Sequence, residues 1–241
     1  AHELISSGWD AKHVIRLIVT SRAYQLSSQN SVDALVADPD NRLLWRRTPR
    51  PLRAEQLHDA LLMISGQLDR QHPVGSMIAA EDDGRIAPRR AAGGLSEQSL
   101  AEAMTLHRAI YLPAPRGAGS HFLSALDLPA GDVVQGVRQQ SPSPARSLAL
   151  LNSPVVTEAA EQLAKQLIDR SPFPELPGSD PAVMRARIDE VYRSVLARPP
   201  TEAEYEIAIR RLPKVRPGVG QAAYRSLIRV LLASAEFMHL E

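Results

Sequence analysis

Proline divides this chain into helices of limited length. Nineteen prolines in 241 residues rule out a plain bundle of long helices, because a proline inside a helix removes a backbone hydrogen bond and clashes with the carbonyl four residues earlier. Between the breaks, apolar residues recur at steps of three and four, the period of an amphipathic helix. The pattern is clearest over residues 180–197. Asp180 supplies a cap, Pro181 fits the first turn, and Met184, Ile188, Val191, Val195 and Leu196 follow on one side. Arg198-Pro199-Pro200 stops that helix, and Thr201-Glu202-Ala203-Glu204 spells a capping box for the next, over 201–212. Residues 219–240 then predict a final helix, with Leu227, Leu231, Ala235 and Met238 along one face.

The earlier part reads in the same way. Asp10 caps a helix bearing Val14, Leu17, Ile18 and Tyr24, while Asp38-Pro39-Asp40-Asn41 marks a turn or helix start before Trp45. Leu57, Leu61, Ile64 and Leu68 predict a helix over 53–68. A short helix is expected over 121–128, another over 145–152, and a third opened by Ser153-Pro154, with Val155, Ala159, Leu163 and Leu167 facing inward. His107 to Leu112 suits a short strand. Residues 71–95 have no sustained period and hold six of the prolines and glycines, so they are expected to be the least ordered internal segment. Only 4% of residues are aromatic, which leaves Leu, Ile, Val and Ala to build the core. The expected fold is mainly α, an irregular multi-helix domain with long Pro/Gly-rich loops and at most one short β element. It is read as a single unit over 1–241, with 71–95 as the place for any internal boundary.

Composition narrows the function classes. Twenty-eight basic and 27 acidic residues leave a formal charge of +1, so no bulk attraction to nucleic acid is expected. With no cysteine, the segment has no disulfides, thiolate metal sites, covalent haem attachment or cysteine nucleophile. The opening Ala1-His2-Glu3-Leu4-Ile5 starts as if a helical pattern were already under way, so the chain is expected to be a piece of a longer protein. No apolar run is long enough to span a bilayer.

Five blocks in order carry a family resemblance. They are Ser7-Gly8-Trp9-Asp10 with Leu17-Ile18-Val19-Thr20-Ser21; Asn41-Arg42-Leu43-Leu44-Trp45 with the run from Leu52 to Leu62 and Ser65-Gly66; Arg108-Ala109-Ile110-Tyr111; Leu148 to Pro154; and Tyr192 to Glu204. Together they resemble the C-terminal domain of unknown function of planctomycete proteins that also carry cytochrome-c-like domains. His58 departs from that pattern, which usually has Arg there, and Ala145-Arg146-Ser147 departs from its usual run. The resemblance implies an exported bacterial multidomain parent with haem in an upstream domain. It implies no cofactor in this segment, and it brings no reaction with it.

The residues singled out for chemistry each have a structural competitor. Glu55 and Asp59 are four apart on a helix start near Arg50 and Arg53, with Trp45 upstream. As a group, Trp45, Arg50, Arg53, Glu55 and Asp59 would hold a polar ligand such as a glycan by stacking and charge-assisted hydrogen bonds. The competing reading has Trp45 packed inward and the charges capping and solvating the helix. Trp9 and Trp45 read as core, with a sugar platform as the alternative. Seven histidines show no metal-ligand spacing, and no metal is expected. Glu81-Asp82-Asp83-Gly84 lacks the alternating ligands of a calcium loop. Ser27-Ser28 and Ser141-Pro142-Ser143 suit turns and caps better than a nucleophile. No catalytic residue can be assigned. The expected function is an auxiliary or interaction module of an exported protein, touching glycan or upstream domains of the same polypeptide. The alternative is part of an enzyme in polysaccharide breakdown or linked electron transfer, with catalytic groups partly upstream.

Overall fold

The computed structural model describes residues 1–73, 106–112, 120–129, 136–138, 144–170, 181–211 and 220–240. These divide into two compact units, 1–51 with 239–241 and 52–238. The anticipated boundary within 71–95 falls, from residue 74 onward, outside the described residues, as does most of the segment expected to be least ordered.

The first unit carries α1 (His2–Ser6), α2 (Ala11–Val19), α3 (Val32–Ala37) and a two-residue antiparallel ribbon. In the ribbon β1 (Arg50–Pro51) meets β2 (His239–Leu240), with Arg50 opposite Leu240. Asp10 caps α2 as expected, its Oδ1 accepting from the backbone N–H groups of Lys12 at 2.9 Å and His13 at 3.1 Å. Ser31 Oγ caps α3 in the same way. Asp38 ends α3 and begins a turn, so Pro39 does not open a helix. The Asp38 carboxylate accepts from Arg42 N at 3.0 Å and Leu43 N at 2.8 Å, and its carbonyl accepts from Trp45 Nε1 at 2.9 Å. Asn41, at φ 54, adds a second clasp by donating from Nδ2 to Arg46 O at 2.8 Å. Asp38 is the only buried residue among 1–51, and α1, α2 and α3 bury none. Trp9 is 72% exposed, at φ 65, against the expectation that it packs in a core. The α1 carbonyls of Leu4 and Ile5 take the N–H groups of Trp9 and Gly8.

The second unit holds α4 (Ala54–Ile64), a 3₁₀ turn (Ala109–Tyr111), α5 (His121–Ala125), α6 (Pro144–Asn152), α7 (Pro154–Arg170), α8 (Pro181–Leu196), α9 (Glu202–Arg211) and α10 (Gly220–Leu232). Helix α7 is its axis and packs against α10, α4 and α6. Val156, Ala159, Ala160, Leu163, Ala164 and Leu167 form its buried stripe at the helical period. Alanine at three of those positions lets a neighbouring backbone approach closely. Ile188, Val191, Tyr192 and Val195 of α8 and Ile228, Leu231 and Leu232 of α10 extend the same core. The protein is thus mainly helical with one short ribbon among the described residues, as its pattern predicts.

Three local expectations are corrected. Residues 107–112 form a single bridge, Asp69 with His107, and then the 3₁₀ turn rather than a strand. Asp59 Oδ1 captures Ala109 N at 2.6 Å, which bends the chain out of any ladder. Helix α10 ends at Leu232, not near residue 240. There Ser234 Oγ accepts from Phe237 N, and Glu236 is drawn to Arg198, so 233–238 is a turn feeding β2. Helix α4 ends at Ile64, four residues early, in a Schellman exit where Gln67 N donates to Leu62 O and Gly66 N to Met63 O.

Two of these helix ends generate stability predictions. Gly66 has φ +69, and a Cβ there would lie 2.6 Å from Gln166 Nε2, which itself donates to Ser65 O. Gly66→Ala is therefore expected to cost about 1–3 kcal/mol in urea unfolding, from left-handed strain plus loss of that bond. Gln166→Ala alone should cost less, and equal losses would show that strain plays no part. The capping box at α9 forms as spelled: Thr201 N donates to Glu204 Oε2 at 2.7 Å. Arg198 then grips both Glu204 and Glu236 with its guanidinium, at 2.8 Å and 2.5 Å. The Arg198 guanidinium holds the Glu204 carboxyl well below the usual range, at about 2. A lowered folded pKa means stabilisation present above the unfolded value and lost as pH falls through the folded one. Glu204→Gln should lower Tm at pH 7, with the gap to wild type closing between pH 4.5 and about 2. A gap independent of pH would show that the charge is not what stabilises.

Candidate functional site

Helix α4 carries three of the five residues singled out in the sequence, Arg53, Glu55 and Asp59. Its apolar face, Ala54, Leu57, Leu61 and Leu62, is buried, so its remaining side chains are aimed by the core rather than by solvent. Arg53 occupies the N-cap, a position that favours a short hydrogen-bond acceptor. A guanidinium has no acceptor. Only the reverse half of a capping box is made, with Gln56 Oε1 accepting from Arg53 N at 2.9 Å.

Each acidic residue of α4 has a cation partner distant in sequence. Glu55 pairs with Arg138 at 2.7 Å. Asp59 takes Arg108 Nε at 3.2 Å on one oxygen and Ala109 N at 2.6 Å on the other. The ion pairs use Arg138 and Arg108 rather than the neighbouring Arg50 and Arg53. Asp59 works as an anchor for the chain after residue 106, and Glu55 as a holder of Arg138.

The five residues singled out in the sequence are divided between the units. Trp45 and Arg50 belong to the first. Trp45 is half-buried, tethered through Nε1 and covered by the Arg46 guanidinium 5.1 Å from its ring. Arg50 is exposed in β1. Arg53, Glu55 and Asp59 belong to the second, on the first two turns of α4. There Arg53 and the Glu55-held Arg138 line one pocket, together with Leu52, Ala54, Leu126, Asp127 and Arg146. Asp59 faces elsewhere, toward Arg108.

Sequence reasoning missed Arg146 and Arg138. Arg146 is 5% exposed, on α6, and donates from Nη2 to Leu52 O at 3.0 Å. A buried arginine has to be inferred from contacts, and its only sequence mark is its departure from the family pattern between Ala145 and Ser147. Asp127 follows α5 at φ 65, where Leu128 N donates to Leu123 O in another Schellman exit. Glycine or asparagine is the usual residue in that conformation. Here an aspartate occupies it and puts Oδ2 4.0 Å from Arg146 Nε.

Beside this pocket His58 is buried against Phe122, with Nδ1 3.5 Å from Asp59 Oδ1. Burial pushes its pKa below 6.5, and the Asp59 carboxylate opposes that shift only in part. A base with a lowered folded pKa is stabilising above its unfolded value and loses that contribution as pH falls. The protein should therefore lose stability as pH drops below 6.5. His58→Leu should flatten that part of the Tm profile, and an unaltered slope would assign it to other groups. Asp59→Asn should cost about 1–2 kcal/mol, and hydrogen exchange at 109–112 should quicken with it. Unchanged exchange there would show that Asp59 does not hold the turn.

Among the described residues no group of three or more His, Asp and Glu side chains gathers as a metal site. No helix among them is long and apolar enough to cross a membrane. Residues 1–212 match the family described as PSD1, protein of unknown function (DUF1553), and the chain belongs to that family. No curated protein and no solved structure matches the chain.

Proposed function

Starting from membership of a family with no assigned reaction, we propose that this chain is an interaction module whose first unit docks on another domain of the same polypeptide. The observation that carries the reading is the unburied apolar surface of that unit. On α2, Ile15, Leu17, Ile18 and Val19 are all exposed, with Ile5 and Trp9 just before them. Val32, Leu35 and Val36 of α3 and Leu43 and Leu44 of the Asp38 turn are exposed as well. Removing one such side chain from water is worth about 1.5–3 kcal/mol, so a surface of this kind is a strong incentive to associate.

The aliphatic character of the surface favours a protein partner over a glycan. Sugars bind through stacked aromatic rings and dense hydrogen bonding, and Trp9 is the one exposed Trp of the chain's two. A partner on the same polypeptide also needs no high affinity, because tethering supplies an effective concentration near millimolar. The resemblance to planctomycete proteins with cytochrome-c-like domains supplies a candidate in an upstream domain, and with it export from the cytoplasm. On this reading haem belongs to the partner and not to this chain.

Hydrogen exchange tests the proposal on this chain and on the complete gene product. Amides 11–19 should exchange at least tenfold more slowly in the complete product, and Ile18→Asp should abolish that difference while leaving α7 protected. Equal exchange in both proteins would overturn the reading. So would a dimer of the isolated chain, seen by sedimentation, that persists in the complete product with α2 at its seam.

A further inference from the structure

On the docking reading of the first unit, we infer that the partner face is an acidic protein surface, its carboxylates set around an apolar centre that meets α2. The two units treat their cations differently. Most described arginines of the second unit pair with a carboxylate, among them Arg108, Arg138, Arg193 and Arg198. Among residues 1–51 ion pairing is confined to His13 with Glu3. Lys12, Arg16, Arg42, Arg46 and Arg47 have no carboxylate partner among the described residues.

These cations border the apolar residues. Ile15 and Val19 come three residues after Lys12 and Arg16, so the four side chains form adjoining strips of one exposed helix. Arg42 is exposed beside Leu43 and Leu44. Arg46 lies over the Trp45 ring at 5.1 Å and Arg47 over the Tyr24 ring at 4.6 Å, contacts that position a guanidinium without neutralising it. The neighbouring acids are mostly committed elsewhere. Asp10 caps α2, Asp38 takes the N–H groups of Arg42 and Leu43, and Glu3 holds His13. A partner covering Ile15 and Val19 therefore strips water from Lys12 and Arg16, which is costly unless it brings acceptors of opposite charge. Residues 1–51 hold seven Lys and Arg against five Asp and Glu, too small an excess for bulk attraction to an anionic bilayer or a nucleic acid. A folded protein can set carboxylates against the cations and leave Asp33, in the first turn of α3, clear of them.

Salt separates this chemistry from docking as such. The protection of amides 11–19 in the complete gene product, relative to the isolated chain, is measured at low salt and at about 1 M sodium chloride, where the screening length falls to about 3 Å. It should drop about two- to tenfold, the size expected of a few exposed ion pairs. The double substitution K12Q/R16Q, at exposed positions, should give a similar loss at low salt and remove most of the salt dependence. D33N should not lessen protection. Salt-independent protection that K12Q/R16Q leaves intact would overturn the acidic face while docking stands, and so would an equal loss in D33N. No protection over the isolated chain in any salt is the failure of docking itself, and the acidic face falls with it. Phosphatidylglycerol vesicles that protect the isolated chain as fully as the complete product is protected would overturn the protein face in favour of an anionic bilayer.

Discussion

The second unit depends on how closely its neighbours approach α7. Alanines at 159, 160 and 164 lie on the buried side of that helix, and Val156, Leu163 and Leu167 fill the spaces between them. With so few aromatic rings in the chain, core volume comes mostly from aliphatic side chains. Such a core tolerates little enlargement, because added methylenes in a packed interior force backbone shifts costing about 1–3 kcal/mol. The exit of α4 obeys the same constraint. Only a residue without Cβ leaves room at position 66 for Gln166 of α7 to reach Ser65 O.

Arginine does at the helix ends what aromatic residues often do elsewhere. Arg146 reaches Leu52 O, Arg229 reaches Leu151 O at 2.5 Å, and Arg198 joins the end of α8 to Glu204 and Glu236. Each guanidinium covers apolar surface with its stem while its planar head takes carbonyls or carboxylates that have lost water. Leu151 O belongs to the last turn of α6, where the negative end of the helix dipole favours a cation.

Much of the fold was legible because it rests on local chemistry. Asp10, Ser153-Pro154 and the Thr201–Glu204 box announce helix starts through side chains that bond within their own first turn. The buried stripes of α7 and α8 follow the helical period, with Val156 rather than Val155 fully buried. What was not legible rests on distance. Arg138 and Glu55 are 83 residues apart, and Arg108 and Asp59 are 49 apart, so spacing rules have no purchase on either pair. Arg53 and Glu55 lie together at the start of α4, but the cations and carboxylates beside them come from other elements. The end of α10 was overrun for a similar reason. Apolar residues continue past Leu232, and the long-range hold of Arg198 on Glu236 joins the local Ser234 bond in keeping them in a turn.

The contrast between the two units bears on function more than any single site does. Ordering the backbone costs about 1–2 kcal/mol per residue, and a hydrogen bond returns only about 1 kcal/mol net. The second unit offsets this with a continuous apolar core. The first has caps at Asp10 and Ser31, the Asp38 and Asn41 clasps and a two-residue ribbon, but no buried apolar side chain. Those polar contacts specify its shape without supplying the burial that would stabilise it. Its apolar residues are numerous enough to do so, yet they face outward from α2, α3 and the Trp45 turn. On the proposed reading a partner surface supplies the burial that this unit lacks, and the polar clasps hold its apolar residues in place for that contact.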